Sequence, residues 1–207
     1  MLGQAISLIA ELEHPRILRA FGALLRTMCA GEIRETLVMR GRHGSREEYY
    51  RSIEARTTSL FAAGAEMAAI LAGAPEAQIA ALRRFGCELG IAYQIVDDVL
   101  DVIGDEAQLG KPAGSDLRQG LITLPILRYL EQTAGDSPVR AALAGECSEE
   151  CLRAAMEVVR SSGAIEGALD EARAHARRGQ EALAMLPAGL PRRMLCDLAE
   201  YVVERRN

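Results

Sequence analysis

Gln94, Asp97, Asp98 and Asp101 stand in the stretch IAYQIVDDVLD at spacings of i, i+3, i+4 and i+7. On a helix these positions share one face, with Asp97 and Asp101 about 6 Å apart along the axis. Ile91, Ile95, Val96, Val99, Leu100, Val102 and Ile103 surround them, so the acids sit in a core-like segment. Enclosed like charges repel, and each is costly without a partner. Either a carboxylate takes up a proton or a cation compensates. No Lys or Arg lies one turn away on that face. A divalent ion answers the problem, and all-oxygen ligands favour Mg²⁺ or Ca²⁺ over zinc. Mg²⁺ is usually held by one or two carboxylates together with substrate phosphates, so the stripe points to a Mg²⁺–phosphate site. Spacing alone fits a solvated acidic stripe equally well.

The segment that follows shifts the balance. GKPAGSDLRQG carries Lys111, Asp116 and Arg118 directly after the acids. A glycine-rich loop with a lysine can close over a phosphate, offering backbone N–H groups and a point charge. Acids, ion and lysine together read as a diphosphate clamp.

The elements that must position this clamp are helical throughout. Leu2 to Leu12 reads as a short apolar helix, and Pro15 suits the first turn of the next, to about Arg40. Ser45 and Glu48 form a capping-box pattern that opens a helix to about Ala72. Pro75 starts a long helix to about Ile103, and the glycines from 104 to 120 make a loop. A helix from about Thr123 and further amphipathic helices follow, one of them opening at Ser148-Glu149-Glu150. No strand run, repeat or linker is visible, so the expectation is all-α, with residues 1–207 forming one helical domain.

Composition excludes several classes. Hydrophobic residues make up 49% and charged residues 26%, as in ordinary globular proteins, and the net charge of -5 argues against non-specific nucleic-acid binding. No apolar run approaches the roughly 20 residues of a membrane span. The opening MLGQAISLIAELEH lacks the basic flank and cleavage site of a signal peptide, so a cytoplasmic location is expected. The five cysteines show no Cys-x-x-Cys pair and the three histidines are scattered, which fits reduced thiols and no zinc site.

YQIVDDVLD followed by GKPAGSDLRQGLITLP resembles the second aspartate-rich motif and adjoining loop of the trans-isoprenyl diphosphate synthases, the polyprenyl synthetase family. EARTTSLFAAGAEMAAILAG resembles that family's Lys-Thr helix, with Arg56 where Lys is usual and Thr57 retained, and CAGEIRE resembles the helix before it. The resemblance implies an isoprenoid-synthase-type helical bundle, truncated at the N-terminus. It also implies Mg²⁺-dependent head-to-tail condensation of isopentenyl diphosphate with an allylic diphosphate. Asp97 would ligate Mg²⁺, with Asp98 and Asp101 supporting it in the metal set. Gln94, Arg56, Thr57 and Lys111 would hold the diphosphate.

Glu32 and Glu35 are expected to be solvated or structural. Met67, Ile91 and Val99 are candidates for a prenyl pocket but fit ordinary core better. Leu121 stands where many members carry a second Lys, and no other paired-aspartate motif occurs in these residues. The family's first motif is therefore expected to be missing. That leaves apolar helix faces to be covered by self-association or by a partner subunit. A non-catalytic subunit of a heteromeric synthase is the alternative reading. A terpene cyclase is disfavoured by the GKPAGSDL loop.

Overall fold

The computed structural model describes residues 2–38, 44–104, 114–145 and 148–205. All regular elements among them are helical. The chain begins with α1 (Leu2–Glu11), α2 (Pro15–Val38) and α3 (Arg46–Ile53). A π-helical turn, Glu54–Thr58, joins α3 to α4 (Ser59–Leu71), and α5 (Glu76–Ile103) follows. Then come α6 (Ser115–Arg118), α7 (Leu124–Gln132), α8 (Pro138–Ala144) and α9 (Glu149–Ser161). The last are α10 (Ala164–Ala182), a 3₁₀ turn (Leu183–Met185) and α11 (Leu190–Glu204).

Local chemistry starts these helices where the sequence suggests. Ser45 accepts a hydrogen bond from Glu48 N at 3.1 Å, and the Glu48 carboxylate accepts one from Ser45 N at 3.1 Å, which completes the capping box. Ser148 caps α9 through Cys151 N at 3.2 Å.

The 28-residue α5 is the spine, with Leu89, Ala92, Ile95, Val96 and Val99 buried. Two close approaches seat it. A Cβ on Gly86 would lie 2.5 Å from the Phe61 carbonyl oxygen, and one on Gly90 would lie 2.9 Å from Thr58 Cα, so glycine lets α4 and the π turn pack directly on α5. On the other side, α10 presents buried Ala168, Ala172 and Ala176 at four-residue intervals, a flat face that also packs closely on α5. A second cluster, including Ile126, Val139 and Val159, fills the space under α7, α8 and α9. Met67 packs with the Ile17 cluster, while Ile91 and Val99 lie in the main core, and none of the three lines the cavity described below.

Two elements differ from expectation. The helix from Ser45 is not a uniform α-helix, because the π turn inserts an extra residue per turn and rotates the preceding side chains by about 100°. The stretch after Ile103 is not all loop, because α6 forms within it. Asp101 explains α6. Its carboxylate accepts hydrogen bonds from Ser115 Oγ at 2.7 Å and Asp116 N at 3.1 Å, placing a negative charge at the start of that turn. Gly114 donates its N–H to the Asp101 carbonyl at 2.8 Å and adopts φ +71°, which glycine tolerates.

Candidate active site

A cavity of about 610 Å³ opens where α2, α3, the π turn, α5 and the segment from α6 to α7 meet. Its lining includes the acids Asp97, Asp98 and Asp116, the arginines Arg34, Arg51 and Arg56, and Thr57, Gln94 and Leu121. Residues far apart in sequence reach one cavity because α2 approaches closely. A Cβ on Gly31 would come within 2.6 Å of Ala55 Cβ.

A chain of hydrogen bonds crosses the cavity wall. Thr57 Oγ1 donates to Gln94 Oε1 at 2.7 Å, Gln94 Nε2 donates to Asp98 Oδ1 at 2.9 Å, and Tyr49 OH donates to Asp98 Oδ2 at 2.7 Å. The π turn, α5 and α3 are thereby tied together through one buried carboxylate.

The aspartates have different settings. The Asp97 side chain is 50% exposed, whereas Asp98 is 3% exposed. Burial pushes the Asp98 carboxyl up to about 7, against the hydrogen bonds from Tyr49 and Gln94, and the charges of Asp116 and Asp97 push the same way. Burial also holds the Tyr49 phenol well above its usual value, so it remains a donor. Asp101, expected with these two in one metal set, is 2% exposed and does not line the cavity. Its carboxylate is turned to α6, where it holds Asp116 at the cavity.

The cations are also distributed in ways the local sequence does not show. No basic residue lies near the acids on α5, yet Arg205 arrives from beyond α11. It stands 3.8 Å from Asp97, with its guanidinium 4.0 Å from the centre of the Tyr93 ring and bonded to the Tyr93 carbonyl at 3.1 Å. Arg56 pairs with Glu32 at 3.4 Å, so this glutamate is an exposed partner of the arginine. Lys111 lies outside the described residues, as does the side chain of Glu35. Tyr49, Arg34, Arg51 and Arg205 were not singled out by sequence reasoning. The available signal for Tyr49 was a tyrosine on the capped helix leading to Arg56, an apolar ring whose polar tip needs a partner when buried.

The donor set can be tested against a divalent ion. Among the described residues no three His, Cys, Asp or Glu side chains converge to chelate an ion by themselves. The cavity instead offers carboxylate oxygens at Asp97, Asp98 and Asp116, with the Asp98 carboxyl raised chiefly by burial and further by the charges of Asp116 and Asp97. That setting fits an oxygen-preferring ion that takes its remaining ligands from phosphate and water.

The all-helical bundle is an isoprenoid-synthase-type fold. It superposes with TM-score 0.94 on the crystal structure of polyprenyl synthase from Caulobacter crescentus complexed with calcium and isoprenyl diphosphate, at 35% identity, covering 99% of this chain and 63% of that one. Residues 1–159 match the sequence profile of the polyprenyl synthetase family, and the chain belongs to that family. It is 31% identical to heptaprenyl diphosphate synthase component 2 of Bacillus subtilis, over 100% of this chain and 59% of the relative. It is also 31% identical to nonaprenyl diphosphate synthase of Mycobacterium tuberculosis, over 100% of this chain and 62% of the relative. The chain therefore spans about three fifths of the length of these relatives.

Proposed function

We propose that the chain serves a polyprenyl diphosphate synthase, a prenyltransferase of isoprenoid biosynthesis joining isopentenyl diphosphate head-to-tail to an allylic diphosphate. The observation that carries this reading is one cavity holding Asp97, Asp98 and Asp116 together with Arg34, Arg51 and Arg56. Acids suit a divalent ion and arginines suit diphosphate oxygens. In the reaction the allylic C–O bond breaks, diphosphate leaves, the isopentenyl double bond attacks the allylic cation, and a proton is lost from the adduct.

Mg²⁺ is the proposed ion, and as a Lewis acid it would neutralise the charge that develops on the leaving diphosphate. Asp97 would hold it, with Asp98 positioned beside it and Asp101 behind, through α6 and Asp116. Arg56, Thr57 and Lys111 would bind the diphosphate. Gln94 would orient it while locked between Thr57 and Asp98. Ile53, Leu121 and Ile122 in the lining would keep water from the cation.

Calorimetric titration tests the shared site. Diphosphate should raise Mg²⁺ affinity, and Mg²⁺ should raise diphosphate affinity by the same factor. Asp97→Ala should abolish the coupling and Asp101→Ala should weaken it. Equal Mg²⁺ affinity with and without diphosphate would sink the reading.

The Bacillus subtilis relative is component 2 of a synthase, which fits an enzyme of more than one chain and frames a second reading. In it the chain is a non-catalytic or regulatory subunit of a heteromeric enzyme. Activity that arises only when a second chain is added, and that survives Asp97→Ala, would select it.

A further inference from the structure

Asp98 is the most enclosed acid of the cavity, and its two oxygens have different holders. Oδ1 accepts from Gln94, one turn back on the same helix, while Oδ2 accepts from Tyr49 on α3. Tyr49 is 7% exposed, and its ring packs edge-on against Tyr50 with centroids 5.3 Å apart. A tyrosine has few torsions to order, so a packed one presents its hydroxyl in a single place.

We propose that Tyr49 is a positioning residue of the ion–diphosphate site, holding the Asp98 carboxylate beside Asp97 so that the acidic wall is formed before ligand arrives. The inference rests on the reading of the cavity given above. Without the Tyr49 hydroxyl, Asp98 is held, among the described residues, by Gln94 alone. Gln94 is also the acceptor for Thr57, so a swing of Asp98 loosens the whole wall from α3 to the π turn. Sites held within a fraction of an ångström depend on such supports.

Tyr50 supplies an internal control. It neighbours Tyr49 on the same helix, and its hydroxyl donates at 2.7 Å to Glu171, which does not line the cavity. Tyr49→Phe and Tyr50→Phe each delete one hydroxyl bonded to a carboxylate and keep the ring. Mg²⁺ is titrated into wild type and both variants with saturating inorganic diphosphate, and melting temperatures are recorded alongside.

Tyr49→Phe is expected to need about tenfold more Mg²⁺ for half-saturation, the loss of one hydrogen bond to a charged group. Tyr50→Phe should keep the wild-type Mg²⁺ requirement whatever its melting temperature. A second arm is the double-mutant cycle with Asp98→Asn, whose losses should not add to those of Tyr49→Phe.

An unshifted Mg²⁺ requirement in Tyr49→Phe, equal losses in both tyrosine variants, or additive losses in the cycle would each overturn the inference. Absence of Mg²⁺–diphosphate coupling in wild type overturns the function proposed for the cavity and this inference with it. A coupled wild type with an unshifted Tyr49→Phe overturns the inference alone.

Discussion

Asp97 and Asp98 are adjacent in sequence, yet one is half exposed and the other is enclosed by Tyr49 and Gln94. One helical position is a rotation of about 100°, enough to turn a side chain from the cavity mouth into its wall. The same separation of roles applies to the cations. Leu121 lines the cavity where a lysine would add charge, and Lys111 stands ten residues earlier in the same glycine-rich stretch. Lys111→Ala should weaken diphosphate binding about tenfold to a hundredfold, the range of a charge-assisted contact of roughly 1.5–3 kcal/mol. Leu121→Lys should strengthen it. Titration with inorganic diphosphate reads both variants, and no change in either would overturn the role of Lys111 as a diphosphate contact.

At the scale of elements, α5 is held by small residues on two sides, and the cost of enlarging them depends on what stands opposite. Gly86→Ala would drive a Cβ onto the Phe61 carbonyl, which is backbone and cannot swing away. A loss of about 1–3 kcal/mol is expected. Gly64→Ala on the exposed side of α4 meets nothing within 4 Å and should instead stabilise by about 0.5–1 kcal/mol through helix propensity. Urea unfolding of the two variants should therefore move in opposite directions.

The α5–α10 contact also carries a pH dependence. His175 lies 2.7 Å from Glu88 Oε2, and Arg178 bonds the same oxygen at 3.1 Å. Burial lowers the His175 pKa below its ordinary 6.5, outweighing Glu88, which pulls it up, and Arg178 adds to the lowering. The native state thus binds this proton less readily than the unfolded chain. The stabilising contribution is full above about pH 6.5 and is lost as pH falls through the unfolded and then the native value. Asp98 works in the opposite sense. Its carboxyl, raised to about 7, favours the native state most at low pH, and that advantage fades as pH rises through its folded value. Comparing wild type with His175→Gln cancels the Asp98 contribution. The urea midpoint of wild type should fall more than that of His175→Gln between pH 7.5 and 5.5, those two values being about one pH unit either side of the unfolded pKa. Parallel curves would mean that His175 does not carry this pH dependence.

For the whole molecule, the 207 residues contain one paired-aspartate motif, and the cavity has one acidic wall among the described residues. Ionisation of an allylic diphosphate gains from charge stabilisation around the whole leaving group. This chain tested alone should therefore incorporate labelled isopentenyl diphosphate about a hundred- to a thousandfold below a synthase with both motifs. Ile6, Leu8, Leu18 and Ile33 on α1 and α2 are large apolar side chains exposed to solvent, so the chain should also associate with itself or a partner. Light scattering run beside the incorporation assay checks both. Fast elongation by a monomer would contradict each expectation and would require another acidic group, such as Glu32 or Glu35, to complete the site.

By itself the sequence determined the helical class, the starts at Ser45, Pro75 and Ser148, and the helix that carries Gln94, Asp97, Asp98 and Asp101. These depend on caps, prolines and a 3.6-residue period, which are interactions within a turn or two of chain. The polyprenyl synthetase resemblance was legible for the same reason, because its motif is contiguous from Tyr93 to Pro125. Tertiary structure decided the rest of the candidate site. It turned Asp101 from the cavity to α6, gave Asp98 to Tyr49, brought Arg205 to Asp97, and put a π turn into an otherwise regular helix. Nothing in EARTT marks that turn locally. It sits where Gly31 lets α2 close on Ala55 and Gly90 lets α5 close on Thr58. Each of these outcomes depends on partners at least 14 residues apart, whose meeting is set by packing between helices and not by the pattern along any one of them.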